Sequence, residues 1–413
     1  MRLRNQLVLA IGTFVLPACS AGSPAENAND AGTSDDGTVS LDAPPFGEAG
    51  ARDSNLLDSG AVDSGSMNAS PADSSPSDSG DSGLPGAPCP SDGGIPEGNP
   101  AELRCTGLYI DWANKILAPG VMQYTPGVVL WSDGAAKTRW LWLPPGTKID
   151  TTDIDEWVFP IGTKIWKQFA VGNKIIETRL IWKQPDSSWT YLVYRWSDDG
   201  LSTYNLADGE TNVNGSTYEV PATWKCTKCH QGRKDVVLGL DLIGTGIQGA
   251  TGVTLASLTL QGLLTQRPPV TNIVIPEDVT GKAAAALGWV HMNCGVTCHN
   301  PNLTALGGYS GMRLKLLASQ LFPEAGTAKV AHQDIYAMCA NVPSRLLPNG
   351  HPYMRIAPGN SAQSLIPLVS LARDPEAGAF APMPPLVSHV PDVADVKLIQ
   401  NWIDALPDGG LPP

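Results

Sequence analysis

The pattern of apolar and polar residues between positions 105 and 220 predicts β-strands. Residues 138–143 are rich in strand-forming side chains and stop at a turn formed by residues 144–146. Residues 189–196 are aromatic and β-branched, with turn residues on both sides. Most of the 12 tryptophans lie in this region, where we expect them to form core and cross-strand contacts. Residues 89–220 are therefore predicted to form a β-rich domain.

The pattern becomes helical after residue 220. The alanine-rich residues 282–287 predict one helix. Asp392 is a favourable N-cap residue, and it predicts the start of another. The apolar positions of this second helix recur on one face at Val393, Val396, Ile399, Trp402, Ile403 and Leu406. We therefore expect the chain after the β-rich domain to be mainly α-helical, in two parts that comprise residues 221–290 and 291–413.

The beginning of the chain has the features of an export signal. Two arginines precede an apolar run from Leu7 to Leu16, which is too short to span a bilayer and predicts a signal peptide over residues 1–18. Residues 16–19, Leu-Pro-Ala-Cys, resemble a bacterial lipoprotein box, which implies that Cys19 is lipidated after cleavage. The alternative is an ordinary signal with an accidental cysteine. In the lipoprotein pattern Ser20, in place of aspartate, favours the outer membrane, with the protein facing the periplasm or the cell surface.

Residues 19–88 are predicted to be a disordered acidic tether. They consist largely of Asp, Ser, Gly, Ala and Pro with almost no aromatic residue, so they bury too little apolar surface to fold. The tether contains much of the acidic excess behind the net charge of −13. Nucleic acid is not an expected partner, because phosphate binding requires a basic face. The expected membrane contact is through the lipid anchor.

The chain has eight cysteines, and unpaired thiols oxidise in exported proteins. Cys89 and Cys105 flank a short loop and are predicted to form a disulfide. Four more cysteines occur in two clusters, each followed directly by a histidine. Cys339 remains without an assigned role.

The first cluster, residues 226–230, has the pattern C-x-x-C-H that is typical of covalent haem attachment. Side chains three residues apart lie on one face of a helix, so the thiols of Cys226 and Cys229 can both reach the vinyl groups of one porphyrin. His230 then provides the proximal iron ligand. The alternatives are a chance match and a disulfide between the two cysteines.

The second cluster, with Cys294, Cys298 and His299, has one residue more between its cysteines. An extra residue in a regular helix rotates a side chain by about 100°. Gly295 tolerates unusual dihedral angles and would absorb the extra residue in a local irregularity. We expect a second haem here, and the alternative is a disulfide of Cys294 with Cys298 or Cys339.

A sixth iron ligand is predicted at Met383 for the second haem, because the proline-flanked loop of residues 381–386 is stiff enough to present a thioether. Met354 is the second choice. For the first haem the sequence leaves several distal ligands possible: His291, Met292, His332, His351 and His389. A vacant position would instead leave room for peroxide or another small ligand.

The chain resembles bacterial exported di-haem c-type cytochromes in which a β-rich region precedes a cytochrome c-like domain. The matching segments are residues 130–134, 159–163, 177–180, 226–230, 293–301, 357–360 and 383–385. The resemblance implies two c-type haems, with His230 and His299 as proximal ligands and a methionine near the C-terminus as a distal ligand.

The expected function is electron transfer with a redox partner protein that the sequence does not identify. One alternative is a di-haem peroxidase-like oxidoreductase that uses an open iron. Another is a structural zinc protein with Cys226, Cys229, Cys294 and Cys298 as thiolate ligands. The tryptophans of the β-rich region have alternatives too, as a platform for carbohydrate or as a face that packs on haem.

Overall fold

An antiparallel β-sheet dominates the first part of the structure, a computed structural model that describes residues 100–345, 347–374 and 380–412. The strands are β1 (Tyr109–Asp111), β2 (Ile116–Leu117), β3 (Met122–Thr125), β4 (Ala136–Trp142), β5 (Lys164–Val171), β6 (Lys174–Lys183), β7 (Trp189–Trp196), β8 (Thr203–Asn205) and β9 (Thr251–Gly252). β1 and β2 pair with each other, and the other strands form a seven-stranded sheet in the order β8-β7-β6-β5-β4-β3-β9. The strands predicted at 138–143 and 189–196 correspond to β4 and β7, which confirms the β-rich region.

The two faces of the sheet have different partners because side chains alternate along each strand. On one face Trp140, Trp166 and Tyr194 pack with Leu103 and Leu108 from the segment that precedes the sheet. Many of the tryptophans are therefore core residues. The opposite face is turned toward the segment that carries the first cysteine cluster.

Short helices and long irregular connections make up most of the chain after the sheet. The helices are α1 (Thr223–His230), α2 (Leu242–Gly246), α3 (Leu255–Leu260), α4 (Ala283–Val290), α5 (Ala318–Leu321), α6 (Asp334–Ala337), α7 (Leu365–Leu371) and α8 (Val393–Ala405). Single 3₁₀ turns occur at Leu103–Cys105, Val213–Gly215, Gly308–Ser310, Val330–His332, Pro348–Gly350 and Ser361–Gln363, and a π-helical turn occurs at His291–Gly295.

The prediction that this region is mainly α-helical is wrong. Helices cover a minority of its described residues. Isolated β-bridges hold the connections between the helices in place. Ile273 N, for example, donates to Gly246 O at 2.8 Å. Frequent proline and glycine residues interrupt the helical pattern, so apolar side chains between them are buried by loops instead.

The two helices predicted from the apolar pattern are present as α4 and α8. The Asp392 carboxylate caps α8 by accepting from Asp395 N at 3.2 Å. Most of the predicted apolar face of α8 is buried, but Val393 is 63% exposed, so its assignment to that face is wrong. Val393 is the first helical residue, before the helix reaches the core. No described helix is long and apolar enough to cross a membrane.

The described residues belong to one unit, Gly80–Pro413. Its largest apolar cluster takes Leu141 and Ile165 from the sheet and Leu287 and Trp402 from α4 and α8. The sheet and the segments with the cysteine clusters therefore share a core. The expected signal peptide, the acidic tether, Cys19 and Cys89 lie outside the described residues.

Candidate functional site

A cavity of about 120 Å³ lies between α1 and the sheet, beside the first cysteine cluster. Cys226, Cys229 and His230 all line it, together with side chains from β3 to β7. The structure thus brings the first three predicted site residues to a single cavity.

The ring of His230 is oriented by a backbone carbonyl. His230 Nδ1 lies 2.6 Å from Val236 O, and a carbonyl oxygen only accepts, so Nδ1 carries the proton. The lone pair of Nε2 remains available to a metal, which is the usual arrangement for a ligating histidine. Burial lowers the pKa of His230 to about 4, so the ring is neutral at physiological pH.

Strain is concentrated at the residue that orients His230. Val236 has φ of 34°, a conformation that β-branched residues rarely adopt. Its neighbour Asp235 fixes this segment to the sheet by accepting from Phe159 N and Trp189 Nε1 at 2.6 Å and from Lys183 Nζ at 2.8 Å. Strained backbone of this kind persists where the surroundings over-determine it, often at functional sites.

The second cluster follows α4 in the π-helical turn. Val296 N donates to His291 O at 2.8 Å and His299 N donates to Cys294 O at 2.9 Å, so both bonds span five residues where an α-helix spans four. The wider turn accommodates the extra residue between the cysteines. A Cβ atom on Gly295 would lie 2.2 Å from Leu314 O, which explains why glycine occupies the turn.

The ring of His299 is oriented in a similar way by Ser310. The Ser310 hydroxyl donates to Gly307 O at 2.6 Å, so it accepts from His299 Nδ1 at 3.1 Å. Nδ1 therefore carries the proton and Nε2 is left with its lone pair. Burial lowers the pKa of His299 to about 4.

The segments that follow the two histidines are in direct contact. Asn302 Nδ2 donates to Gly232 O at 3.1 Å, and the Thr304 hydroxyl donates to Gln231 O. A Cβ atom on Gly232 would lie 1.8 Å from Thr297 O, so only glycine fits at this position. The structure therefore places the two clusters side by side.

A buried ion network joins the same segments to the loop before β5. Arg233 lies 3.0 Å from Glu156 and 2.9 Å from Asp241, and Lys315 also binds Glu156. Burial by itself would raise the pKa of Asp241, but the charge of Arg233, the neighbouring His291 and the hydrogen bonds from Gly244 N and Arg233 together lower it to about 2. All four side chains are at most 11% exposed.

The cysteines of both clusters are free thiols, as is Cys339. Burial raises the pKa of Cys226, Cys229, Cys294 and Cys298, so the thiols are protonated. The disulfide alternatives are therefore absent from the structure. Cys105 is disulfide-bonded. Within the described residues no group of three or more His, Cys, Asp and Glu side chains is placed to hold a metal ion.

The predicted methionine ligand lies in the loop between α7 and α8. Met383 N donates to Val369 O at 2.9 Å, and Val387 from the same loop lines the cavity of the first cluster. Met354 precedes Arg355, which donates to Ser310 O at 3.1 Å beside the second cluster. The assignment of Met383 to the second iron stays a prediction.

The residues that line the first cavity do not include the five distal ligands considered for the first haem: His291, Met292, His332, His351 and His389. His291 is fully buried, and its Nδ1 accepts from Leu316 N at 2.9 Å. The ring proton therefore lies on Nε2, which then has no lone pair for iron. This geometry argues against His291 as a ligand.

Several residues of the site do not belong to any motif in the sequence. Val236 and Ser310 orient the histidines through contacts that only the folded chain creates. Arg139, Lys167 and Arg179 contribute three cations to the cavity wall from three different strands. Their alternation along the strands is visible in the sequence, but their meeting depends on strand register.

The donor set at the first cluster fits covalently bound haem. Cys226, Cys229 and His230 line one cavity, and the neutral His230 keeps the lone pair of Nε2. The second cluster offers the same donor types, although the cavity lies at the first. Comparison with known proteins returned no matching family model, no matching curated protein and no matching solved structure.

Proposed function

We propose that this chain is a c-type cytochrome that transfers electrons through two covalently bound haems. The observation that supports it most is the arrangement at the first cluster, where Cys226, Cys229 and His230 line one cavity and the Nε2 of His230 keeps its lone pair. Export and lipidation of Cys19, with attachment to the outer membrane, belong to the same proposal.

Each cysteine would hold the porphyrin by adding its S–H bond across a vinyl group, so that sulfur bonds to one carbon and hydrogen to the other. No external oxidant is needed for this addition. His230 and His299 would bind iron through Nε2, and Met383 is the proposed distal ligand at the second cluster. When bound, haem supplies an iron centre that is reduced and oxidised by one electron.

The direct contact between the two clusters supports transfer between the haems. Gly232 and Thr297 approach each other closely enough to exclude a side chain, and they lie just after the first histidine and just before the second. Electron tunnelling slows steeply with distance, so neighbouring attachment sites favour exchange between them.

Haem stoichiometry tests the proposal. The full chain, matured with a c-type haem assembly system, should retain haem after denaturation, and a pyridine haemochrome assay should give about two haems per chain. The Cys226→Ala/Cys229→Ala variant should retain about one, because only the second cluster remains. The Cys339→Ala variant is the control and should keep two. Zinc without iron in the purified chain would disprove the proposal.

A peroxidase-like oxidoreductase is the second candidate function. The cavity lining favours it: among the described residues that line the cavity, His230 is the only histidine and there is no methionine. An iron with an open sixth position at the first cluster would bind carbon monoxide when reduced and would turn over peroxide with a reduced donor. Binding of carbon monoxide without peroxide turnover would leave electron transfer as the function.

A further inference from the structure

A row of three cations crosses the wall of the cavity beside the first cluster. Arg139 in β4 faces Lys167 in β5, and Lys167 faces Arg179 in β6. All three line the cavity that also contains the thiols of Cys226 and Cys229. Like charges directly opposite each other destabilise an antiparallel pair. The row therefore requires compensating negative charge.

Among the described residues, one carboxylate forms an ion pair with this row. Glu177 lies 2.5 Å from Arg179, and it also accepts from Tyr218 Oη at 2.6 Å. Another cation that lines the cavity, Lys225, is 2.5 Å from its own carboxylate, that of Glu219. In the part of the chain that the structure describes, Arg139 and Lys167 thus have no carboxylate partner.

Arg139 shows most directly that an acceptor is expected. Its side chain is 3% exposed, and neither terminal guanidinium nitrogen has a hydrogen-bond partner in the part of the chain that the structure describes. Buried donors are nearly always bonded, and an unbonded one costs stability. Burial and the charge of Arg139 lower the pKa of Lys167 well below its usual value, so that lysine too would gain from an anion.

We propose that Arg139 and Lys167 bind the two propionate carboxylates of the haem attached at Cys226 and Cys229, an inference that rests on the proposed function. The two propionate carboxylates and Glu177 carry three negative charges, which balance the three positive charges of the row. Charge-assisted bonds from a guanidinium to a carboxylate are among the stronger hydrogen bonds in proteins. The haem bonds to α1 through its vinyl groups, and its propionates lie on another edge of the ring. The sheet is therefore part of the cofactor site.

Reduction potential tests this assignment with the full haem-loaded chain. Removing a cation near the haem disfavours the reduced, more negative state. In Arg139→Gln and in Lys167→Met we expect the reduction equilibrium constant of the first haem to fall about tenfold, or about 59 mV for one electron. The first haem is identified as the component of the potentiometric titration that Cys226→Ala/Cys229→Ala lacks.

The pH dependence of the potential distinguishes a propionate site from a structural effect. In the wild type the cations keep the propionates ionised, so the potential should be constant from neutral to mildly acidic pH. In Arg139→Gln and Lys167→Met the propionates should bind a proton on reduction, so the potential should fall as pH rises. Arg139→Lys retains the charge and should restore most of the wild-type behaviour. Lys174→Met removes an exposed cation from the same sheet and should change neither property.

Several other results would contradict the assignment of the propionates to Arg139 and Lys167. If haem is bound but both variants titrate like the wild type, the assignment is wrong and the cytochrome proposal survives. If inorganic phosphate shifts the wild-type potential but not that of Lys167→Met, the row binds a soluble anion and the assignment is again wrong. A wild-type chain without haem overturns both proposals. If the variants do not accumulate, resonance Raman of the wild type decides: a propionate bending mode that shifts on mild acidification contradicts the assignment, and a constant one supports it.

Discussion

Replacing Gly232 with alanine is expected to separate the two cysteine clusters and to lower the free energy of unfolding by roughly 3 kcal/mol, near the upper end for overpacking. The new Cβ atom would lie 1.8 Å from Thr297 O. The backbone fixes the position of a Cβ atom, and Thr297 O is itself a backbone atom, so no side-chain rotation relieves the clash. The segments must move apart instead, which also weakens the hydrogen bond from Asn302 to Gly232 O. Denaturant unfolding of the haem-loaded chain measures the loss.

The same variant is expected to slow electron exchange between the two proposed haems, because the segments next to both histidines separate. Flash reduction followed by spectra of the two haems would measure the rate. Gly308→Ala is the matched control, since a Cβ atom there meets nothing within 4 Å and the residue lies in the loop after His299. Equal stability and equal exchange rates in the two variants would mean that the contact at Gly232 is not required.

Replacing Arg233 with methionine is expected to cost about 3–5 kcal/mol, the usual loss when one partner of a buried ion pair is removed. Arg233 is 3% exposed and holds both Glu156 and Asp241. Glu156 retains Lys315, but Asp241 loses its only ion-pair partner in the described part of the chain. Equilibrium unfolding at neutral pH measures the loss. Arg267→Met, at an exposed position, should stay within about 0.5 kcal/mol of the wild type.

The pH dependence of the same pair identifies the cause. The pKa of Asp241 is lowered from 3.8 to about 2, so its contribution is complete above pH 4 and is lost as pH falls toward 2. In Arg233→Met the cation no longer lowers this pKa, so it is higher than in the wild type and protonation costs the folded chain less. The difference in stability between variant and wild type should therefore shrink as pH falls from 5 to 2. A difference that is constant with pH would show that the loss comes from packing alone.

Local patterns in the sequence predicted the elements that depend on neighbouring residues. The strands β4 and β7 follow from aromatic and β-branched residues with turn residues beside them, and α8 follows from its apolar period and the Asp392 cap. The three-residue spacing of Cys226 and Cys229 sufficed to place both thiols on one face of α1. Gly295 likewise indicated an irregular turn, because the extra residue at the second cluster does not fit a regular helix. These features can be predicted from the side-chain periodicity of strands and helices alone.

Predictions from apolar periodicity were wrong where tertiary packing determined which residues are buried. The chain after the sheet buries its apolar residues largely in loops, which have no period for a sequence pattern to show. Val393 matches the spacing of the buried face but lies at the exposed start of α8. Burial depends on where the helix enters the core, and the spacing of residues does not contain that information.

The sequence by itself determined that two cysteine clusters, each with a histidine, are available for a cofactor. Only the tertiary structure decided which groups surround them. Strand register brings Arg139, Lys167 and Arg179 into one row, although they are distant along the chain. Loop placement sets Val236 O against His230 and the Gly232 segment against the second cluster. Such contacts form between residues far apart in sequence, so no local pattern of side chains encodes them.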